Sequence, residues 1–301
     1  MTPVLFLAGC GAQQGALAGG PLSPPLAENA PTAKGASSYI YTCQSESSKP
    51  DCLVYANNKI VETITSVKSP RGVAAGKDGL FFMADEGGKD VLVYSAGGKK
   101  LLSTLTNGGN APQDVAVFAE KTGDAVAVAN QKTVTYFSAG ATKPTRTLKD
   151  SAASQGTGVA FDASGNCYFA FQTKSKAAEV DEFKACTGKP TNLKITPGSP
   201  YGIAFDASGN LYYTGYMSAS RGVYLCSGVK SCAVKWSNFI DPEYLNFDAG
   251  FKDLWISDPG EYSLGAYLYQ IDIASGKVTK YMNGIGFFNP PTGVAAGPGP
   301  L

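Results

Sequence analysis

Short apolar stretches recur along this chain, separated by turns rich in glycine, aspartate, asparagine and serine, a pattern typical of short β-strands. One phrase returns six times: proline or glycine, a variable residue, a third residue that is most often glycine, a branched apolar residue or leucine, and alanine or asparagine. Its copies begin at Pro70, Pro112, Gly156, Pro200, Pro242 and Pro291, at steps of 42, 44, 44, 42 and 49 residues. Short strands repeated with this period predict an all-β fold, the six-bladed β-propeller.

The fourth repeat shows most clearly how one blade is built. The pattern predicts an inner strand at 201–205, a turn at 206–210 and further strands at 211–214, 222–226 and 232–236. No further strand is predicted after the sixth copy of the phrase, but the pattern predicts three strands near the N-terminus, at 38–42, 53–56 and 59–64. We therefore expect the two ends of the chain to share one blade and close the ring, within a propeller of residues 37–301.

The full pattern combines the phrase with an Asp-x-x-Gly-Asn turn and a following tyrosine. It resembles the NHL-repeat family of six-bladed propellers over roughly residues 38 to 297. The third and fourth blades carry it best, with the turn Asp-Ala-Ser-Gly-Asn at 162–166 and again at 206–210. The resemblance implies the fold and says little about chemistry, because this architecture supports unrelated functions.

Composition excludes several kinds of chemistry. The chain contains no histidine, which removes Ser-His-Asp and Cys-His catalysis and histidine-ligated zinc. The formal net charge is +1, from 25 basic and 24 acidic residues that are well mixed along the chain. Without a basic stripe there is no electrostatic surface for nucleic acid, so no nucleic-acid partner is expected.

The N-terminus predicts export and a lipid anchor. Residues 4–10 read Val-Leu-Phe-Leu-Ala-Gly-Cys and resemble a bacterial lipobox, in which Cys10 is the lipidated residue. We interpret residues 1–10 as a truncated lipoprotein signal and residues 11–36, rich in Gly, Ala, Pro and Ser, as a disordered tether. The expected location is the bacterial cell envelope, at the periplasm, outer membrane or cell surface, with membrane contact through the anchor alone. The alternative is a chance cysteine in a disordered tail.

The cysteines agree with export. Apart from Cys10 there are six, and they fall into three close pairs: Cys43 with Cys52, Cys167 with Cys186, and Cys226 with Cys232. Six cysteines allow fifteen pairings, and spacing alone does not choose among them. Each close pair lies inside one predicted blade, so we predict these three disulfides. Free buried thiols are the alternative.

The variable second residue of each phrase is expected to ring one end of the central channel. We therefore predict a binding site there. Its residues are Arg71, Gln113, Thr157, Tyr201, Glu243 and Thr292, with Asn246, which replaces the alanine of the phrase, beside the channel. Loops between second and third strands add Asp85, Glu86, Tyr216, Met217, Arg221, Asp258, Glu261 and Tyr262. An ordinary solvated rim remains the alternative.

These observations lead to three hypotheses of different classes. The first is an exported, lipid-anchored, monomeric binding module without a catalytic site or cofactor, whose partner is an envelope protein or an extracellular glycan. The second is a calcium-dependent hydrolase that resembles lactonases, with Asp114, Glu243, Asn246 and Asp258 as the conceivable calcium ligands. The third is a structural spacer, which a mouth plugged by side chains would favour. The Asp-Ala-Ser-Gly-Asn segments do not match a calcium loop and are interpreted as turns.

Overall fold

The structure is a computed structural model that describes residues 39–45, 49–76, 78–195, 199–215, 221–229, 231–260, 266–281 and 291–297. In this part of the chain the backbone forms six antiparallel sheets of four strands each. The predicted all-β, six-bladed propeller is confirmed. Within the described residues, no helix is long and apolar enough to span a membrane.

In blades one to five the strands follow one another along the chain as the repeat predicts, with the inner strand first. The last blade begins the chain with β1 (Tyr39–Gln44), β2 (Asp51–Ala56) and β3 (Lys59–Ile64). Blade one holds β4 (Pro70–Ala75), β5 (Phe81–Asp85), β6 (Asp90–Tyr94) and β7 (Leu101–Thr106). Blade two holds β8 (Pro112–Glu120), β9 (Gly123–Asn130), β10 (Thr133–Phe137) and β11 (Arg146–Lys149).

The remaining blades have the same order. Blade three holds β12 (Ala153–Phe161), β13 (Cys167–Thr173), β14 (Ala178–Phe183) and β15 (Thr191–Asn192). Blade four holds β16 (Pro200–Phe205), β17 (Leu211–Gly215), β18 (Gly222–Ser227) and β19 (Ser231–Ser237). Blade five holds β20 (Tyr244–Phe247), β21 (Asp253–Asp258), β22 (Tyr267–Asp272) and β23 (Val278–Tyr281).

The ring closes where the sequence predicts it. The strand β24 (Pro291–Gly297) pairs antiparallel with β1, so the sixth sheet has the order β24-β1-β2-β3. Each inner strand also packs against the inner strand of the next blade, and β24 packs against β4. The six inner strands therefore surround one axis, and each is covered by the inner strands of its two neighbouring blades.

The hydrophobic core is divided among the seams between blades. Each of the six seams has its own cluster of buried apolar side chains. Neighbouring residues of a second strand serve opposite seams: Phe169 packs toward blade two, whereas Ala170 packs toward blade four. Both faces of such a strand are buried, so the middle strands read as continuous apolar runs rather than as an alternating pattern.

Close approach of the inner strands explains the glycine of the repeated phrase. A Cβ atom added to Gly202 would lie 2.5 Å from the carbonyl oxygen of Glu243 in the next blade. One added to Gly158 would lie 2.5 Å from the carbonyl oxygen of Tyr201. These distances leave no room for a side chain directed at the neighbouring blade. The glycine is therefore a packing requirement of the ring.

The three predicted disulfides are confirmed, and each stays inside one blade. Cys43 and Cys52 are direct cross-strand partners on β1 and β2, and Cys226 and Cys232 are partners on β18 and β19. Cys167 on β13 is bonded to Cys186, which lies in a short turn after β14. Each bridge closes a short loop, which limits its stabilisation to roughly 2–3 kcal/mol.

The two Asp-Ala-Ser-Gly-Asn segments are turns, as interpreted from the sequence. Asp162 Oδ1 accepts the backbone N–H groups of Ser164 and Asn166, each at 2.9 Å. Its Oδ2 accepts the Asn166 amide at 2.7 Å, and Asp206 makes the equivalent bonds in blade four. The glycine in each turn has a positive φ, 76° at Gly165 and 77° at Gly209. The aspartate oxygens are thus occupied by the turn itself.

Candidate functional site

The channel mouth is the end of the central axis at which the inner strands begin. The sequence assigns one ring residue to each blade, the second residue of the repeated phrase. Only Glu243 precedes its strand, whereas the strands begin earlier in the other blades and include Arg71, Gln113, Thr157, Tyr201 and Thr292. In these five blades the pairing register shifts at or beside that residue. Such bulges turn side chains out of the regular strand pattern, which aims them toward the mouth or the next blade.

Two of the predicted residues come together through an acidic residue from a loop. Arg71 Nε donates to Glu86 Oε2 at 2.9 Å, and Gln113 Nε2 donates to Glu86 Oε1 at 2.9 Å. The Ser69 hydroxyl adds a longer bond of 3.4 Å to Glu86 Oε2. The side chains of Arg71 and Glu86 are 29% and 28% exposed, so the cluster lies at a surface that solvent reaches.

The charges of this cluster support each other. Burial raises the pKa of Glu86, but the Gln113 amide and the Arg71 guanidinium outweigh burial and lower it overall. For Arg71, burial lowers the pKa, but Tyr244, Glu86 and Tyr201 outweigh it and raise the pKa overall. Arg71 therefore stays a cation and Glu86 a carboxylate at neutral pH.

Tyr244 closes the channel below the mouth. It occupies the position of the repeated glycine in blade five, and its hydroxyl donates to the backbone carbonyl of Gln113 in blade two at 3.2 Å. Blades two and five are three steps apart in a ring of six, so this bond crosses the axis. The ring of Tyr201 packs edge-to-face against Tyr244, with centroids 5.5 Å apart. Burial raises the pKa of Tyr244 well above its usual value, so its hydroxyl stays protonated.

Asn246 makes a second contact across the channel interior. Its Nδ2 donates to the carbonyl oxygen of Val73 in blade one at 3.2 Å, past the intervening sixth blade. The Asn246 amide is therefore bonded to backbone of another blade, and a role for it in binding stays a prediction. Together Tyr244 and Asn246 obstruct the channel, so a ligand would contact the mouth rather than pass through it.

Asp114 is the second side chain that replaces a repeated glycine. It is 7% exposed, and its Oδ2 accepts the backbone N–H of Val159 in blade three at 3.0 Å. Burial raises its pKa from 3.8 to about 7, although the N–H groups of Val159 and Val115 act in the opposite direction. A carboxyl group that titrates near neutrality therefore lies in the wall of the channel, beside Gly72 of blade one.

The predicted threonines bond to neighbouring blades. Thr157, 1% exposed, donates its hydroxyl to the carbonyl oxygen of Tyr201 at 3.1 Å. Thr292, 3% exposed, donates to the carbonyl oxygen of Pro70 at 2.9 Å. Both hydroxyls tie one inner strand to the next. Glu243 lies next to Tyr244 and is partly exposed, and a role for it in binding stays a prediction.

Several loop residues named from the sequence hold the backbone. Asp85 Oδ1 accepts the N–H of Ser69 at 2.8 Å, and the oxygens of Asp258 accept those of Ile240 and Asp241, both at 2.8 Å. These carboxylates fix the segments that lead into β4 and β20. Arg221 donates to the carbonyl oxygen of Ile240. Cys10, Tyr216, Met217, Glu261 and Tyr262 lie outside the described residues, as do the signal and tether at 1–36.

The residues imagined as calcium ligands have other partners. Asp258 bonds to backbone N–H groups, Asn246 to the Val73 carbonyl and Asp114 to the Val159 N–H. In the described part of the chain, no group of three or more acidic, cysteine or histidine side chains is arranged to hold a metal ion. Calcium binding and hydrolysis stay predictions that this geometry does not support.

Sequence reasoning missed Tyr244 as a channel residue. The signal was present, because the third residue of the phrase is glycine in four copies and aspartate or tyrosine in the other two. A ring that requires glycine at this position can accept a large side chain only where the chain directs it into the axis. Positions where another residue replaces the repeated glycine therefore indicate channel residues better than positions where the glycine is kept.

The fold is similar to solved propellers of distant sequence. One chain in the crystal structure of a nidogen/laminin complex superposes with a TM-score of 0.68 at 15% identity, covering 86% of this chain and 98% of that one. A chain of the hydrazine synthase of Kuenenia stuttgartiensis gives a TM-score of 0.59 at 12% identity, covering 81% and 83%. No protein-family model and no curated protein matches the sequence. At these identities the likeness shows the fold, which is consistent with an interaction module.

Proposed function

We propose that this protein is an exported, lipid-anchored binding module without catalytic activity, which engages an envelope protein through its channel mouth. The observation that carries the proposal is the cluster of Arg71, Glu86 and Gln113. It is held by hydrogen bonds of 2.9 Å and remains open to solvent on one side. An ordered, charged and accessible group in a concave end of the fold is what a binding site requires.

The closed channel favours a surface contact. Tyr244 and Asn246 are bonded to backbone on other blades and obstruct the channel below the mouth. A mouth without an open channel behind it is suited to a side chain or loop of a partner rather than to a buried small substrate. The propeller with which the chain superposes in the nidogen/laminin complex supports a protein partner as the general class.

Export and anchoring have separate support. Three disulfides favour an oxidising compartment outside the cytosol. The lipobox-like segment ending at Cys10 and the Gly- and Pro-rich residues after it match an anchored protein held on a tether. Mass spectrometry of Cys10 from the native host tests the anchor directly, and an unmodified cysteine would contradict it.

Site-specific crosslinking tests the mouth as the binding surface. Lys68, exposed beside the start of β4, and Lys121, exposed in the β8–β9 hairpin at the opposite end of the propeller, form a matched pair. A photocrosslinking residue at Lys68 should give one reproducible protein adduct in host cells, absent at Lys121 and reduced by Arg71→Ala.

Three outcomes are informative. Equal adducts from Lys68 and Lys121 would contradict a mouth-specific partner. No protein adduct, together with Arg71-dependent retention on purified host polysaccharide, would replace the protein partner with a glycan. No adduct and no retention would remove the binding function and leave a structural spacer.

A further inference from the structure

We propose that Arg71 is the specificity-determining residue of the mouth, and that it binds a single carboxylate presented by an aspartate or glutamate side chain of the partner. This inference rests on the proposed function and adds the chemistry of the recognised group. Three observations support it: Glu86 and Gln113 orient the guanidinium of Arg71, the Nη groups of Arg71 remain available as donors within the described residues, and acidic side chains surround the guanidinium.

The guanidinium of Arg71 is held by a brace between two blades. Its Nε–H is bonded to Glu86 Oε2 at 2.9 Å, and Gln113 of blade two holds the other oxygen of the same carboxylate at 2.9 Å. The hydroxyl of Ser69 adds a third donor to Glu86 at 3.4 Å. Glu86 is therefore well supplied with donors, and its role is to fix the plane of the guanidinium.

Glu86 binds the Nε–H group of the Arg71 guanidinium, and the edge formed by the two Nη groups is not used by this contact. Neither Nη of Arg71 makes a hydrogen bond within the described part of the chain, and the side chain is 29% exposed. The Nη edge carries N–H groups in a fixed fork, which matches the two oxygens of a planar carboxylate. A group that is already oriented loses little conformational entropy when a ligand binds.

Surrounding charges select a single negative charge. Asp114 and Glu243 lie close enough to Tyr244 to affect its pKa, as does Arg71, so all three surround the same ring. Glu86 adds a third carboxyl group beside the guanidinium. Glu86 already pairs with the guanidinium, so a ligand adds its charge to an acidic surrounding: a carboxylate adds one negative charge and a phosphate dianion nearly two, which disfavours the phosphate more strongly. Asp114, with a pKa of about 7, is only partly ionised near neutral pH, which reduces its share of this repulsion.

Two tyrosines lie near the guanidinium of Arg71. The Tyr244 hydroxyl donates to the Gln113 carbonyl, and the Tyr201 ring packs edge-to-face against the Tyr244 ring, with centroids 5.5 Å apart. Both tyrosines are near enough to Arg71 to affect its pKa. The carboxylate would therefore meet the guanidinium beside aromatic surface, where partial exclusion of water strengthens the ion pair relative to a fully exposed one.

The test uses small probes that differ only in the recognised group. N-acetyl-aspartate methylamide is titrated against N-acetyl-asparagine methylamide, and galacturonate against galactose, while the Arg71 Nε–H resonance is followed by NMR. The aspartate probe should shift this resonance and bind roughly tenfold or more tightly than the asparagine probe, a difference typical of a charge-assisted bond.

Arginine variants assign the effect to Arg71. Arg71→Ala should abolish the acid-over-amide preference, and Arg71→Lys should reduce it severalfold because the fork is lost. Arg146→Ala is the matched control, because Arg146 lies on the outer strand of blade two and stacks on Tyr136. Equal binding of the acid and the amide probes, or no shift with either at millimolar concentration, would overturn the inference.

The outcomes separate this inference from the proposed function. A mouth-specific adduct at Lys68 without a preference for the acid probe would support the proposed binding function and overturn the proposal that Arg71 recognises a carboxylate. An acid preference for galacturonate but not for the aspartate probe would replace the protein side chain with an acidic sugar. A preference for the acid probe, together with no crosslinked partner in host cells, would overturn the proposed function but support carboxylate binding by Arg71.

Discussion

The buried Asp114 carboxyl should make the stability of the propeller depend on pH. Its Oδ2 accepts only a neutral backbone donor, the Val159 N–H at 3.0 Å, and burial raises its pKa from 3.8 to about 7. The substitution that isolates this effect is Asp114→Asn. Asparagine has nearly the same shape, keeps a carbonyl oxygen that can accept the Val159 N–H, and does not ionise.

The direction and size of the effect follow from linkage. The pKa of Asp114 is higher in the folded state than in the unfolded state, so the unfolded chain ionises first as the pH rises. The free energy of unfolding therefore decreases between about pH 4 and about pH 7. A difference of about three pH units at 1.36 kcal/mol per unit gives a loss on the order of 4 kcal/mol. Above about pH 7 both states are ionised and the loss is complete.

Urea unfolding followed by intrinsic fluorescence measures this difference. Asp114→Asn should match the parent near pH 4 and exceed it in free energy of unfolding by several kcal/mol near pH 8. Asp78→Asn, at an exposed turn, is the control and should show no such divergence. Taking the difference between variant and parent removes the contribution of all other carboxylates. A gap that is constant across this range, or that shrinks as the pH rises, would refute the assigned pKa.

Four further predictions test other parts of the structure. Burial and the neighbouring Asp150 raise the pKa of Asp181 to about 7, so Asp181→Asn should also gain stability over the parent near pH 8 but not near pH 4, as measured by urea unfolding. Tyr244→Phe removes the bond to the Gln113 carbonyl and should lower the free energy of unfolding by about 1 kcal/mol in the same assay. Gly202→Ala places a Cβ 2.5 Å from the Glu243 carbonyl and should cost roughly 1–3 kcal/mol, whereas Gly250→Ala, with its nearest atom at 3.6 Å, should change stability little by thermal unfolding. Replacing Cys167 and Cys186 together with serine should lower stability by about 3 kcal/mol in urea without reductant, and an unchanged midpoint would contradict the bridge.

The architecture was predictable because its causes repeat along the chain. The glycine of the phrase is required wherever two inner strands approach, so the same constraint appears in four copies, as at Gly158 and Gly202. The ring closure was predictable because the strands at both ends of the chain were each incomplete as a blade. The outer strand of blade three, Thr191–Asn192, was missed because it is two residues long, exposed and polar, and carries no apolar pattern.

The site was predictable only in part, because its contacts join distant residues. Arg71 and Gln113 were identified from their place in the phrase and Glu86 from its loop, but the bonds that join the three could not be predicted. The partner of the Tyr244 hydroxyl lies 131 residues away in sequence, and no local pattern indicates such a contact. Bulges at the strand starts also changed where side chains point, which sent the Thr157 hydroxyl to the next blade instead of the mouth.

The two departures from the repeated glycine are neighbours in the channel interior. Asp114 and Tyr244 lie in opposite blades, and Tyr244 reaches across the axis to the carbonyl oxygen of Gln113, the residue before Asp114. Asp114 lies close enough to Tyr244 to affect its pKa. Tyr244 therefore obstructs the channel beside Asp114, whose own pKa burial raises to about 7. This obstruction leaves Arg71 at the mouth, where a partner can reach it, so the residues that break the repeat set the chemistry of the site.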